Sequence, residues 1–184
     1  MAIKTFTTGE VLTASDTNTY LNNGGLVYIT SQTVGSGVTS VTVSNVFSST
    51  YDNYRLTMNN VQGSAVAANL LLTFDTTTSG YYYGGHDITY NGTVAVISGS
   101  NAASINVGST AGSAFGGEQG MSIDIFSPYL AVRSCVYSTG FGSGSGRWVG
   151  GELATASSNA SVKISISTGT MTGGTITVYG YRKA

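Results

Sequence analysis

The feature that most constrains the fold is the alternation of apolar and hydroxyl-bearing residues in short runs from Leu26 onward. In "KISIS", Ile164 and Ile166 alternate with serines, and "TITVYGY" near the C terminus alternates with threonines in the same way. Because successive side chains of a strand point to opposite faces, each run has one face for a core and one for solvent. This pattern predicts β-strands, and no convincing amphipathic helix lies between the runs.

The segments between these runs carry turn signals. Asn91-Gly92 lies between two apolar runs and predicts a β-hairpin with a type I′ turn, in which both central residues have φ > 0. Pro128 lies between two candidate strands, where its missing N–H costs no ladder hydrogen bond. Roughly ten or eleven strands joined by such turns predict an all-β fold, an antiparallel β-sandwich of jelly-roll-like form over residues 26–184.

Composition excludes several classes of partner. Only 8% of the 184 residues are charged, and glycine, serine and threonine make up about two fifths of the chain, so hydroxyl groups and backbone must cover most of the surface. The net charge of −1 provides neither the basic footprint of a nucleic-acid-binding protein nor a polybasic patch for a membrane. No run approaches the ~20 apolar residues of a membrane-spanning helix, and "MAIKTFTTGE" lacks the apolar centre of a secretory signal. We therefore expect synthesis in the cytosol, no nucleic-acid partner and no membrane insertion.

The titratable residues show no pattern of a catalytic or metal centre. His86 is the single histidine, and the carboxylates are scattered without the spacing of an oxygen-ligand loop. The single cysteine, Cys135, cannot form an intrachain disulfide or join a cysteine-rich metal site, and its alternating run "LAVRSCVYST" predicts a buried strand thiol. We predict that the protein is not an enzyme and holds no cofactor and no metal ion.

A polysaccharide depolymerase is an alternative that the sequence leaves open. A glycosidase needs two facing carboxylates, and Asp124 and Glu152, both on candidate strands, are the pair we would choose. The simpler interpretation is that both face solvent or pair with Arg133, Arg147 or Lys163.

The aromatic residues give a second hypothesis, a carbohydrate-binding module for host surface polysaccharide. Three consecutive tyrosines on a strand cannot all face the core, so at least one must face outward. An aromatic ring can pack against the C–H face of a sugar, whereas the alternative is an interface or surface tyrosine whose hydroxyl is satisfied by water or a neighbour. The candidate glycan contacts are Tyr81, Tyr82, Tyr83, His86 and Trp148.

The first 25 residues differ from the rest of the chain. In "TASDTNTYLNN", Thr13 or Ser15 is a candidate helix N-cap, and Asp16 in the first turn complements the helix dipole. A helix of about two turns is too short to be stable alone. Residues 1–25 are therefore predicted to form a short helical or extended attachment segment that needs a surface to lie on.

The opening "FTTGEVLTASDTNTYLNN" resembles a leader common at the N termini of tailed-bacteriophage virion proteins, which reads Phe-x-x-Gly-x-Val-Leu-Thr-Ala-x-Asp-x-Asn-x-x-Leu. The stretches "VSNVFSSTYDNYRLTMNNVQGS" and "DIFSPYLAVRSCVYST", with the closing "GTMTGGTITVYGYRKA", look like phage fibre and head-attached domains. The resemblance covers most of the chain in scattered short motifs.

This resemblance implies a virion structural protein, often a homotrimer, whose leader docks on other virion proteins of the tail or capsid. We expect a short tail-fibre or tail-attached adhesin-like component located in the virion, and a capsid decoration protein is the alternative. The leader residues expected to make the docking contacts are Phe6, Val11, Leu12, Asp16, Tyr20 and Leu21.

Overall fold

The structure, a computed structural model, describes residues 7–16, 25–65, 68–110, 120–142 and 144–183. Within these residues a short helix, α1 (Ala14–Asp16), precedes fourteen strands. The strands are β1 (Leu26–Thr33), β2 (Ser40–Val43), β3 (Asn53–Asn59), β4 (Gln62–Gly63), β5 (Asn69–Phe74), β6 (Tyr81–Thr89), β7 (Val94–Ala102), β8 (Ile105–Ser109), β9 (Gly120–Phe126), β10 (Val132–Gly142), β11 (Ser145–Ser157), β12 (Val162–Ile166), β13 (Met171–Thr172) and β14 (Thr175–Tyr181).

The strands form two main sheets in which every neighbouring pair is antiparallel. The large sheet has eight strands in the order β1-β14-β3-β9-β10-β11-β6-β7, and the small sheet has four in the order β2-β12-β5-β8. A two-stranded pair, β13-β4, completes the arrangement of the described residues. The predicted all-β antiparallel sandwich is thereby confirmed.

Eight of these strands have the connectivity of a jelly roll. In chain order they are β1, β2, β3, β5, β8, β9, β12 and β14. In the large sheet, β1, β14, β3 and β9 lie side by side, and these are the first, eighth, third and sixth of the eight strands. The small sheet consists of β2, β12, β5 and β8, which are the second, seventh, fourth and fifth. Two interlocked Greek keys give this order, which confirms the jelly-roll-like form expected from the sequence.

Two hairpins extend the large sheet beyond the jelly roll. The hairpin β6–β7 is inserted in the chain between β5 and β8, and β10–β11 is inserted between β9 and β12. Both add to the same edge, next to β9, so the large sheet has twice as many strands as the small one. Strand β8 packs across β10 and β11 and joins the extension to the small sheet.

The core lies between the two sheets and follows the predicted alternation. Tyr54, Leu56 and Met58 of β3 are fully buried, whereas Arg55 and Thr57 lie on the outer face. Burial of such apolar side chains stabilises the fold by about 25 cal/mol for each Å² removed from water. Since few charges are present, this burial must supply most of the stability.

The turn of the β6–β7 hairpin differs from the predicted type I′. The Thr89 carbonyl accepts a hydrogen bond from Gly92 N at 2.9 Å, so Tyr90 and Asn91 are the central residues. Among Tyr90, Asn91 and Gly92, only Gly92 has a positive φ, which is 85°. This is the pattern of a type I turn followed by a left-handed glycine, the usual solution for a hairpin loop with one extra residue.

The prediction of a buried thiol at Cys135 is wrong, because the alternation of β10 has the opposite phase. Cys135 is exposed, whereas Ser134 and Ser138 of the same strand are fully buried. The Ser138 hydroxyl donates to the carbonyl oxygen of Val107 at 2.9 Å, and a buried hydroxyl with such a partner is tolerated. Serines therefore occupy inward positions that the predicted phase had placed on the outer face.

Candidate functional site

The candidate site lies on the outward-facing side of β10, β11, β6 and β7, which we name the insertion face. Trp148 on β11 and His86 on β6 are cross-strand partners there. Their rings stack with centroids 5.4 Å apart and an interplanar angle of 26°. The indole lies over Gly146, where an added Cβ would come within 2.7 Å of it, so the absence of a side chain at Gly146 helps to set the ring position.

The three consecutive tyrosines divide between the two sides of the sheet, as the strand period requires. Tyr82 lies on the insertion face and is 41% exposed. Tyr81 is fully buried, and its hydroxyl accepts a hydrogen bond from Phe74 N at 2.8 Å. Burial raises the pKa of Tyr81 to about 12. Tyr83 packs against the core, with its ring against Gly99 of the next strand.

These positions correct the list of candidate glycan contacts. The odd-numbered residues of β6 point inward, so Tyr81 and Tyr83 face the interior. Neither is therefore available to a ligand on the insertion face. Tyr82, His86 and Trp148 lie together on that face.

A shallow trough crosses the insertion face. Its floor is Gly150 on β11 and its cross-strand partner Gly84 on β6, and a Cβ at either position would meet no atom within 4 Å. Six side chains surround this floor, with Trp148 and His86 on one side, Glu152 and Tyr82 on the other, and Tyr137 and Ser98 at the two ends. Sequence reasoning missed the floor and the ends, although the repeated Gly-Gly in "YYYGGHD" and "RWVGGELA" was a usable signal.

No family model, curated protein or solved structure matches this chain.

The two carboxylates suggested for a depolymerase are separated by one strand, and each is held by an arginine. Asp124 on β9 and Glu152 on β11 lie on either side of β10, and their register is offset by two residues. Two strand spacings with this offset place their Cα atoms about 12 Å apart. Each carboxylate is also engaged by an arginine: Glu152 by Arg133 at 3.1 Å, as the simpler interpretation anticipated, and Asp124 by Arg55 at 2.7 Å.

The single histidine and its neighbouring aspartate lie on opposite sides of the sheet. His86 points outward and its neighbour Asp87 inward, so the two cannot act on one substrate. Across the described residues, no three histidine, cysteine or acidic side chains come together as metal ligands would. The same residues contain no helix long and apolar enough to cross a membrane.

The leader residues that fall within the structure surround a capped helix start. The Thr13 hydroxyl accepts a hydrogen bond from Asp16 N at 3.1 Å, and the Asp16 carboxylate accepts one from Thr13 N at 3.1 Å. This reciprocal capping makes Thr13, one of the two predicted candidates, the N-cap. Val11 and Leu12 directly precede it and are 80% and 48% exposed. Three more of the expected docking residues, Phe6, Tyr20 and Leu21, lie outside the described residues.

An ion pair links neighbouring jelly-roll strands on the outer face of the large sheet. Arg55 donates two hydrogen bonds to the Asp124 carboxylate, at 2.7 and 2.8 Å, and the Tyr181 hydroxyl donates a third at 2.7 Å. The hydrogen bond from Arg55 holds the pKa of Asp124 below its ordinary value of 3.8. Partial burial, together with the hydrogen bond to Asp124, raises the pKa of Tyr181 to about 12.

The stability contributed by Asp124 is expected to depend on pH. A carboxyl group with a lowered pKa stabilises the fold above its unfolded-state pKa, and this contribution is lost as the pH falls through the folded-state value. Asp124→Asn should therefore lower the free energy of unfolding at about pH 6 by up to about 1 kcal/mol, and at about pH 2 the two proteins should be equally stable. Denaturant titrations at the two pH values measure the difference.

Asp52→Asn is the matched control for this experiment, because both Asp52 and its ion-pair partner Lys183 are exposed. We expect this change to alter stability by a few tenths of a kcal/mol at most at either pH. A deficit of Asp124→Asn that is equally large at both pH values would contradict the assignment.

Proposed function

We propose that this chain is a structural component of a bacteriophage virion, a tail-attached adhesin that is held on the particle by residues 1–25. The observation that carries the proposal is the exposure of Val11 and Leu12 beside a helix start that is already capped. A leader that supplies its own cap but leaves an adjacent apolar pair in solvent is suited to docking on an apolar groove of another virion protein.

The jelly roll suits a particle exposed to changing surroundings. Its stability comes from apolar burial between two sheets, and exposed ion pairs contribute little to folding and are weakened by salt. The outer face carries few charges, so contact with a neutral surface needs little desolvation of charged groups. These properties support an exposed structural part, and they hold equally for a capsid decoration protein, which is the alternative.

We further propose that the protein is a homotrimer. The tips of the two inserted hairpins carry exposed apolar side chains, which we name the tip patch: Phe141, Ile88, Tyr90, Val94 and Val96. Val96 is 84% exposed. The patch has no charged member, and apolar patches of this kind mark contacts between subunits.

The docking function is tested by the double variant Val11→Asp, Leu12→Asp. A charge at each position should disfavour burial in an apolar groove, so we expect at least tenfold less of the protein in purified particles produced from the genome that encodes it. Immunoblotting of these particles measures incorporation, and labelled antibody in the microscope separates tail from capsid.

Val132→Asp is the control, because Val132 is an exposed apolar residue on the sandwich rather than on the leader. This control should be incorporated normally. The native protein, the leader variant and the control should all unfold at the same temperature. Normal incorporation of the leader variant, or of a chain without residues 1–23, would refute the proposal.

A further inference from the structure

We propose that the trough floored by Gly84 and Gly150 binds a neutral glycan chain, with a pyranose ring seated over the two glycines. This inference rests on the proposed adhesin function and gives it a site and a class of ligand. It adds Glu152, Tyr137 and the glycine floor to the aromatic residues recognised in the sequence.

Neither the fold nor the packing requires glycine at these two positions. Neither residue has a positive φ, and a Cβ at either would point into open space. Glycine inside a strand costs about 0.5–1 kcal/mol relative to alanine. A glycine inside a strand often marks a bulge, a tight bend or the close approach of a ligand or another backbone, and here two such glycines are cross-strand partners.

The neighbouring glycines show what a packing requirement looks like. A Cβ at Gly85 would lie 2.1 Å from the carbonyl oxygen of Trp148, and one at Gly151 would lie 2.8 Å from the Tyr83 Cβ. Each Gly-Gly pair therefore supplies one glycine that the sheet needs and one that leaves the outer surface bare.

The walls of the trough carry aromatic side chains that suit a sugar ring. Trp148 and His86 border one side, with the indole leaning over Gly146, and Tyr82 borders the other. His86 and Tyr82 are four residues apart on β6, about 13 Å between Cα atoms. Aromatic rings offer apolar faces with polar edges, which match a sugar whose C–H faces alternate with hydroxyl groups. Binding sites combine such surfaces with a few polar groups that fix orientation.

Glu152 and Arg133 supply these polar groups at the rim. The Arg133 guanidinium donates to Glu152 Oε1 at 3.1 Å, and both side chains keep exposed area. The carboxylate can accept from one hydroxyl of a sugar while the guanidinium donates to the next. Because the pair neutralises itself and the chain has a net charge of −1, the trough favours a neutral ligand over a phosphate or a nucleic acid.

Two other occupants fit less well. A peptide that adds to a sheet needs a free strand edge, whereas β6 and β11 are each paired on both sides. A second copy of the chain would favour the tip patch, which is apolar. Ile88 and its partner Val94 lie four residues along their strands from the floor, about 13 Å away, whereas Val96 is the cross-strand partner of His86 and borders the trough. Subunit contacts centred on Ile88 and Val94 leave the glycine floor open.

Trp148 provides a direct readout, because it is the single tryptophan of the chain and forms part of the trough wall. The full-length protein is applied to an array of neutral oligosaccharides that includes glucans, galactans, mannans and chitin fragments. Hits are titrated by tryptophan fluorescence. We expect at least one pyranose oligosaccharide to bind and to change the emission.

The deciding variants are Gly84→Val and Gly150→Val, which place a side chain on the floor without a clash. We expect each to weaken binding at least tenfold and to leave the unfolding temperature unchanged or higher. Gly120→Val is the matched control, because Gly120 is an exposed strand glycine with open space above it that lies outside the trough. This control should bind as the native protein does.

Four results would overturn the assignment: no binding at millimolar oligosaccharide, native affinity in both floor variants, an equal loss in Gly120→Val, or a change of oligomeric state in place of a change in binding. The last would assign the trough to a second copy of the chain. Incorporation into particles separates this proposal from the docking proposal, because the floor variants should be incorporated normally and the leader variant should bind the glycan normally.

Discussion

Replacement of Asp87 by alanine is expected to lower the free energy of unfolding by about 3–5 kcal/mol, because it leaves the charge of Arg147 buried and unpaired. Arg147 is only 8% exposed. Its Nε donates to Asp87 Oδ1 at 2.6 Å, and its Nη2 donates to Asp87 Oδ2. Its Nη1 is 2.7 Å from both Asn106 Oδ1 and the Gly108 carbonyl oxygen. Every nitrogen of the guanidinium thus has an acceptor.

The position of this cluster explains why its loss should be costly. Asp87 and Arg147 belong to the inserted strands β6 and β11, whereas Asn106 and Gly108 belong to β8 of the small sheet. The guanidinium therefore joins the extension to the small sheet. Without its carboxylate partner, the buried cation must recruit water or move, and either change opens the space between the sheets.

Two further variants make the experiment decisive. Arg133→Ala removes an exposed ion pair and should cost at most about 1 kcal/mol. The double variant Asp87→Leu, Arg147→Met replaces the buried pair by apolar side chains and should recover much of the loss, because a buried ion pair is often no better than well-packed apolar residues. Denaturant unfolding followed by Trp148 fluorescence measures all three. A loss below about 1 kcal/mol for Asp87→Ala would contradict the assigned role.

The sequence predicted the strands and the sandwich because alternation is a local property. It placed Tyr54 and Leu56 inside from their own run, without knowledge of their partners. Arg147 could not be placed in this way, because its burial depends on Asp87, which is distant in the chain and adjacent only through the pairing of β6 with β11. Charge alone predicts an exposed arginine.

In the candidate site, too, the sequence predicted what depends on local alternation and missed what depends on strand pairing. A strand period of two predicted that one of Tyr81, Tyr82 and Tyr83 faces outward, but the choice of Tyr82 required the phase of β6. The stack of Trp148 on His86 and the glycine floor depend on the register between two strands of different hairpins. Register of this kind is set by the whole sheet and by its turns, so a single sequence does not reveal it.

Gly85→Ala and Gly84→Ala are expected to have opposite effects, although the two residues are adjacent. A Cβ at Gly85 would lie 2.1 Å from the Trp148 carbonyl oxygen and 2.8 Å from Val149 Cα, and both atoms are backbone in a paired strand. The strands must separate to admit the methyl group, so we expect a loss of about 3 kcal/mol, at the upper end of the usual cost of overpacking. Gly84→Ala meets open space and should be neutral or stabilising by up to about 1 kcal/mol.

Equilibrium unfolding of the two variants tests more than local packing. If Gly84→Ala is as stable as the native protein or more so, folding provides no reason for glycine at that position, which supports a role for the bare outer surface of the sheet. A loss similar to that of Gly85→Ala would mean that the sheet itself needs both glycines, and the trough would then be a by-product of packing. The two variants thus distinguish a glycine that the sheet needs for packing from a glycine that only keeps the outer surface free of a side chain.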